Sequence, residues 1–263
     1  MKRSIVYSKP EAIMLAVSYV VLIAANALGE IFKFGGVTAG SVSNEVFAWF
    51  APAGYVFMIW SLIYIGLVVW LVRLARTGRE PRQSGGNTVR KESLVFVVSC
   101  VLNIIWLALW HLRIFPASIV VIVLLFASVA LLYLMTRKRS KSWLDRAPIS
   151  LYASWLAVAT IANIAHVATR ATDGGNDVVS AVSTIVLLAV FAGIAFLMRR
   201  KFGDYVFGLV VAWAGIGIGV HLIEVAPVVG VIAILISTVG VAAALVPWDV
   251  ISSGTAGRQT RRK

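Results

Sequence analysis

Residues 50–72 read FAPAGYVFMIWSLIYIGLVVWLV, 23 residues without a formal charge. At 1.5 Å of rise per residue, such a run crosses a hydrocarbon core roughly 30 Å thick. It is read as one spanning helix, with Pro52 tolerated in its first turn. Phe50, Gly54, Phe57, Ser61 and Tyr64 follow one another at spacings of three and four, which puts them on one helical face. Trp60 and Tyr64 make a second aromatic pair four residues apart. Both sit away from the ends of the run, where an aromatic belt would lie, so they are expected to pack or to wall a cavity inside a bundle.

The composition carries the same signal along the whole chain. Hydrophobic residues make up 60% of it and charged residues 13%, a balance that excludes an ordinary water-facing surface. The formal net charge of +13 would suit nucleic acid if the basic residues formed a stripe. They fall instead in short clusters between apolar runs, so no nucleic-acid partner is expected and the bilayer is the medium. Cys100 is the single cysteine, which excludes an intrachain disulfide. The first apolar run follows Met1, Lys2 and Arg3 but ends in NALGE without a small-residue cleavage site, and is read as an uncleaved helix.

The predicted architecture is all-α: a polytopic membrane bundle with eight spans near 12–28, 50–72, 94–110, 116–135, 148–167, 178–198, 205–222 and 227–246. Pro116 and Pro148 are read as opening the fourth and fifth spans, and Pro247 with Trp248 as closing the eighth. The link 29–49 is expected to fold back as a cover, anchored by Val46, Phe47, Trp49 and Phe50. The polar stretch 73–91 is read as a mobile loop and TRKRSKSWLDR, 136–146, as a basic loop. With the N-terminus inside, all of the 24 Lys and Arg residues except Lys33, Arg113 and Arg170 fall on the inner side. Both termini are therefore placed in the cytoplasm. Gly215, Gly217 and Gly219 in the seventh span, with Gly230 in the eighth, would permit close helix contact.

Two further faces carry polar groups. Asn103, Trp106 and Trp110 share one face of the third span; Tyr152, Trp155, Ala159, Asn163 and His166 share one face of the fifth. An amide facing hydrocarbon lacks a partner, so Asn103 and Asn163 should point into the bundle. An interhelical hydrogen bond, worth ~0.6 kcal/mol on average, and direct contact with a ligand both explain that face. His111, His166 and His221 end three spans on the outer side, near Glu30, Glu45 and Glu224. No ligand spacing such as HExxH accompanies them, and no metal site is assigned. P-loop, dinucleotide and nucleophile-elbow patterns are missing, as is a carboxylate pair within a span, so the sequence offers little toward an enzyme. Trp60, Trp106, Trp155 and Trp213 either pack the bundle or line a pocket for a flat apolar ligand.

The segments FAPAGYVFMIWSLIYIGLVVW, LNIIWLALW and LYASWLAVATIANIAH together resemble the tryptophan-rich sensory protein family, TspO/MBR, the relatives of the peripheral benzodiazepine receptor. The matching positions are Pro52, Trp60, Tyr64, Leu102, Asn103, Trp106, Trp155 and Asn163. The family's double proline is Ala51-Pro52 here, its loop Trp-Tyr is Trp49-Phe50, and its Phe four residues before the Trp is Val56. The resemblance implies a five-helix bundle over 1–169; the chain departs from it by adding three predicted spans over 170–250 and a basic tail over 251–263. It also implies a cavity near the long first loop that takes porphyrins, haem-related tetrapyrroles or, as in some relatives, cholesterol. Trp60, Asn103, Trp106 and Asn163 are carried over as site residues; Tyr64, Trp155 and His166 join them from their shared faces. Porphyrin or haem would be a ligand and not a required cofactor. A cell membrane of a bacterium or archaeon is the expected location, and self-association is left open. The alternatives are an ion-coupled secondary transporter and a structural or assembly protein of the membrane.

Overall fold

The computed structural model describes residues 9–77 and 90–246. Most of the loop expected at 73–91, together with Pro247, Trp248 and the basic tail, lies outside the described residues. Every regular element among the described residues is helical: α1 (Lys9–Ile31), α2 (Ala39–Ser43), α3 (Ile59–Thr77), α4 (Lys91–His111), α5 (Phe115–Arg139), α6 (Trp143–Ala171), α7 (Asp177–Phe202), α8 (Val206–Ile223) and α9 (Pro227–Leu245). Seven helical stretches there are long and apolar enough to cross a membrane, while the apolar part of α9, Pro227–Ala242, is shorter. Ile13, Val17 and Val20 on α1, and Val178, Val182, Val186 and Val190 on α7, form stripes more than half exposed. Water would not tolerate such faces and lipid does, so the chain is an integral membrane protein.

The first five long helices form a ring. Helix α4 packs against α1 and α5, α5 against α6, α6 against α3, and α3 closes the ring on α1. Helix α8 packs against α9 and α7 on one side, and against α6 and the start of α3 on the other. One continuous buried cluster accordingly runs from Leu15 on α1 to Ala233 on α9. A Cβ added at Gly219 would stand 2.7 Å from the Gly230 carbonyl oxygen, so the expected approach of α8 to α9 is real.

Two helix starts differ from the sequence reading. The run 50–72 is not one helix: α3 begins at Ile59, preceded by a 3-10 turn over Gly54–Met58. Pro52 thus lies before the helix and not in its first turn. The free N–H of Ala53 is taken by the Gly217 carbonyl at 3.0 Å, and the Nε1 of Trp213 donates to the Val56 carbonyl at 3.1 Å. Helix α8 therefore supplies the acceptor for a backbone N–H that a helix would have satisfied internally, while the Val56 carbonyl, which also accepts from the Ile59 N–H, ties the Trp213 indole to the lead-in. Phe50 consequently leaves the face of Gly54, Phe57, Ser61 and Tyr64 and stacks on Phe191 of α7, centroids 6.2 Å apart. The second correction concerns Pro148, which lies inside α6. That helix opens at Trp143, within the predicted basic loop, and Asp145 in its first turn binds Arg73 at 2.6 Å and Ser140. Gly66 on α3 makes room for the proline ring.

Charged groups collect at the two ends of the bundle. At the end expected to face inward, Glu11 accepts from the Arg90 N–H and the Ser93 hydroxyl, and Arg139 meets Glu92 at 3.0 Å. Buried Asp204 accepts from Tyr133 at 2.6 Å, from Ser150 at 2.8 Å and from the Val206 N–H at 3.0 Å, with Arg137 at 3.6 Å. Asp204→Ala strands two hydroxyl donors and one guanidinium together, and is expected to lower stability by about 3 kcal/mol. Thermal unfolding of the purified protein in detergent measures this; an unchanged midpoint would show that the three partners find other acceptors.

Candidate functional site

Helices α1, α3, α4 and α6, with the short α2, enclose a cavity of about 510 Å³. The 3.6-residue period builds its walls. From the α3 side come Gly54, Phe57, Trp60, Ser61 and Tyr64; α4 supplies Trp106, Leu107 and Trp110; α6 supplies Trp155, Val158, Ala159, Ala162 and Asn163. Ile23, Asn26, Ala27 and Glu30 of α1 complete the wall.

The aromatic rings brace one another. Trp60 stacks on Tyr64 at 5.8 Å and meets Trp155 edge-on at 6.3 Å; Phe57 meets Trp155 edge-on at 6.0 Å. Opposite, Trp106 stacks on Trp110 at 6.1 Å. The indole N–H groups of Trp106 and Trp155 are buried without an acceptor, although Trp110 donates to the Ala39 carbonyl at 3.0 Å.

The two amides serve helix pairing. Asn103 does not line the cavity: its Oδ1 accepts from Asn26 at 3.1 Å and its Nδ2 donates to the Tyr152 hydroxyl at 3.2 Å, tying α4 to α1 and α6. Asn163 bonds Ser118 of α5 at 3.2 Å and also reaches the cavity wall. His166 stands beside the cavity, buried between Trp110 at 4.9 Å and Phe115 at 5.0 Å, with neither ring nitrogen hydrogen-bonded. Of the seven residues singled out from sequence, Trp60, Tyr64, Trp106, Trp155 and Asn163 meet at the cavity, while Asn103 and His166 lie behind it. Trp213 lies elsewhere, on an outward groove between α3, α6 and α8. Among the described residues, no three His, Cys, Asp or Glu side chains come together as a metal site.

The connector after α1 does lie over the cavity. Thr38 and Ser41 cap α2 reciprocally, Glu30 accepts from the Ala39 N–H at 2.9 Å, and Val42 is buried in the cluster around Trp106 and Trp110. Thr38, Ala39, Gly40 and Ser43 form the cavity's roof. Farther along, Phe47 stacks on His221 of α8 at 4.6 Å. Glu45 pins the same connector to Arg113 at 2.5 Å and to Arg170 at 3.4 Å. The bond to Glu45 raises the Arg113 guanidinium further above its ordinary range, so it remains a cation. Glu45→Gln is expected to change stability by less than about 1 kcal/mol, because both pairs are partly exposed. Amide hydrogen exchange over 37–49 should nonetheless quicken; unchanged exchange would mean that α2 and its cap hold the cover unaided.

Trp110, Glu30 and the α2 backbone were not assigned to the site from sequence. Trp110 carries a signal, since it lies four residues after Trp106 on the same face. Nothing local marks the α2 backbone as a roof. The profile of the family described as TSPO-like protein matches residues 12–246, which takes in the whole of α7, α8 and α9 along with the five-helix ring. No curated protein and no solved structure matches the chain.

Proposed function

The chain belongs to the TSPO-like protein family, and from that premise we propose that it is a membrane receptor or carrier for an apolar, ring-shaped ligand, a tetrapyrrole or a sterol-like lipid, held in the aromatic cavity. One observation carries the reading. A cavity of about 510 Å³, within the range of small-molecule sites, is walled by aromatic rings that three helices, α3, α4 and α6, bring together in stacked and edge-on contact. Flat rings lie between such walls with their apolar faces covered.

The roof and the last three helices take supporting roles in this reading. The connector limits exchange with the membrane, and α8 holds the lead-in to α3 whose residues form one wall of the cavity. Helix α9, about 28 Å long at 1.5 Å per residue, serves as the eighth span, with both termini in the cytoplasm. Ion-coupled transport draws support from the interrupted start of α3. Against it, the one carboxylate among the described residues that lines the cavity, Glu30, is exposed and accepts from the Ala39 N–H, while buried Glu11, Glu92, Asp145 and Asp204 take part in the end contacts described above.

Equilibrium titration of monodisperse, detergent-solubilised protein with protoporphyrin, haem and cholesterol, read by tryptophan quenching and by direct retention, tests the proposal. Saturable binding of one of them at one equivalent per chain is the expected result. No retention of any by folded protein would sink it and leave the transport or structural readings.

A further inference from the structure

A second apolar recess opens on the outer surface of the bundle, separate from the aromatic cavity. It holds about 760 Å³ between α3, α6 and α8 and is lined almost wholly by hydrocarbon, with Leu62, Ile65, Val69, Leu151 and Leu209 among its walls. From Met58 to Val69 it follows α3 for roughly 17 Å at 1.5 Å per residue, the reach of an extended acyl chain and not of a compact ring. Its inner end is marked by Trp143 and Tyr205, stacked with centroids 6.3 Å apart, as aromatic residues are at the level of lipid headgroups.

Immediately past that pair the surroundings turn basic. A pocket of about 140 Å³ shares Trp143, Ala147, Tyr205 and Val206 with the groove and adds Arg137, Lys141, Arg146 and Asp204. Three cations there face one carboxylate. The oxygens of Asp204 are already engaged by Tyr133, Ser150 and the Val206 N–H, so it offsets Arg137 alone. Arg146 spends its donors on the Ser140 and Arg137 carbonyls, which neutralises no charge. Lys141 is exposed.

An apolar groove of acyl length that ends in surplus positive charge on the inner side has one chemical complement. The geometry points to a bound anionic phospholipid, with a chain along α3, α6 and α8 and its phosphate against Lys141 and Arg146. Basic recesses between membrane helices on the cytoplasmic side recognise such headgroups, and long-range attraction to the phosphate adds to contact along the groove. The site bridges α3 and α6 of the ring to α8, so an occupied groove joins the two groups of helices.

Native mass spectrometry and thermal unfolding of the full chain, delipidated in detergent and supplied with phosphatidylglycerol, phosphatidylcholine or inorganic phosphate, test the assignment. Phosphatidylglycerol is expected to persist as a one-to-one adduct and to raise the unfolding midpoint, whereas phosphatidylcholine and phosphate do neither. Lys141→Glu, which reverses charge at the headgroup, and Leu209→Trp, which fills the groove, should each reduce phosphatidylglycerol retention about tenfold. Neither should move the midpoint in lipid-free detergent. Equal retention of phosphatidylcholine, an equal shift from inorganic phosphate alone, or full retention by both folded variants would overturn the proposal.

Discussion

Gly217→Leu is expected to destabilise the bundle severely by forcing α8 away from the residues that lead into α3. The glycine faces the lead-in to α3, where a Cβ would fall inside the Val56 side chain and lie 3.4 Å from Pro52 Cβ. Val56 is fully buried, so it has no space into which to retreat. Overpacking of this kind costs about 1–3 kcal/mol before any displacement of α8. Displacement would also break the bond from Ala53 to the Gly217 carbonyl and the bond from Trp213 to the Val56 carbonyl, stranding one backbone N–H and one indole N–H away from water. Against a total stability of about 5–15 kcal/mol, these losses together should lower the unfolding midpoint on the order of 10 °C or cause aggregation. Gly193→Ala is the matched control, because a Cβ there meets nothing within 4 Å. A Gly217→Leu protein that melts with the wild type would show that α8 does not hold the lead-in.

Trp60→Ala is expected to produce the largest loss of ligand binding. Its ring is the common neighbour of Tyr64, Tyr152 and Trp155, and it packs against both buried clusters. Truncation removes one wall of the cavity and leaves Tyr64 and Trp155 without the ring that fixes their orientation. A central aromatic anchor of this kind contributes about 2 kcal/mol or more, so retention of the bound tetrapyrrole or sterol should fall about 30-fold. Trp60→Phe should recover part of the loss, whereas Trp143→Ala, in the outward groove, should leave retention unchanged. Trp106→Ala is expected to act in the same direction but more weakly, since Trp110 remains stacked behind it. Unaltered affinity in a monodisperse Trp60→Ala protein would remove the cavity from consideration as the binding site.

Much of the site was legible because two local rules act on it. The helical period places Gly54, Phe57, Ser61 and Tyr64 together, and in the structure all four reach the cavity. The cost of an amide in hydrocarbon turns Asn103 and Asn163 inward, where they bond Tyr152 and Ser118. Neither rule names the partner helix. That gap explains why Asn103 was read as a wall residue although it lies behind the wall, and why Trp213 was grouped with tryptophans from which α8 separates it. It also explains Gly217: Gly215 and Gly219 face α9, whereas the residue between them points to the opposite side of the helix, toward Val56.

The two prolines show where local reasoning stops. Pro52 and Pro148 both look like first-turn residues, because a helix start loses nothing when an N–H is missing. At Pro148 the helix instead begins five residues earlier, where Asp145 finds Arg73 and Gly66 admits the ring. Around Pro52 the helix is delayed until Ile59, with Gly217 accepting from the Ala53 N–H in place of a turn carbonyl and Trp213 bonded to the Val56 carbonyl.

The sequence by itself determined that the chain is a membrane bundle, the rough course of its long apolar helices and which faces of them carry polar or aromatic residues. Those properties follow from transfer free energy and a fixed helical repeat, which act residue by residue. Only the tertiary structure decided which faces meet, where α3 begins, that the connector roofs the cavity and that α8 holds the cavity's wall in place. Those outcomes depend on hydrogen bonds and close contacts between residues far apart along the chain, which only the packed bundle brings together.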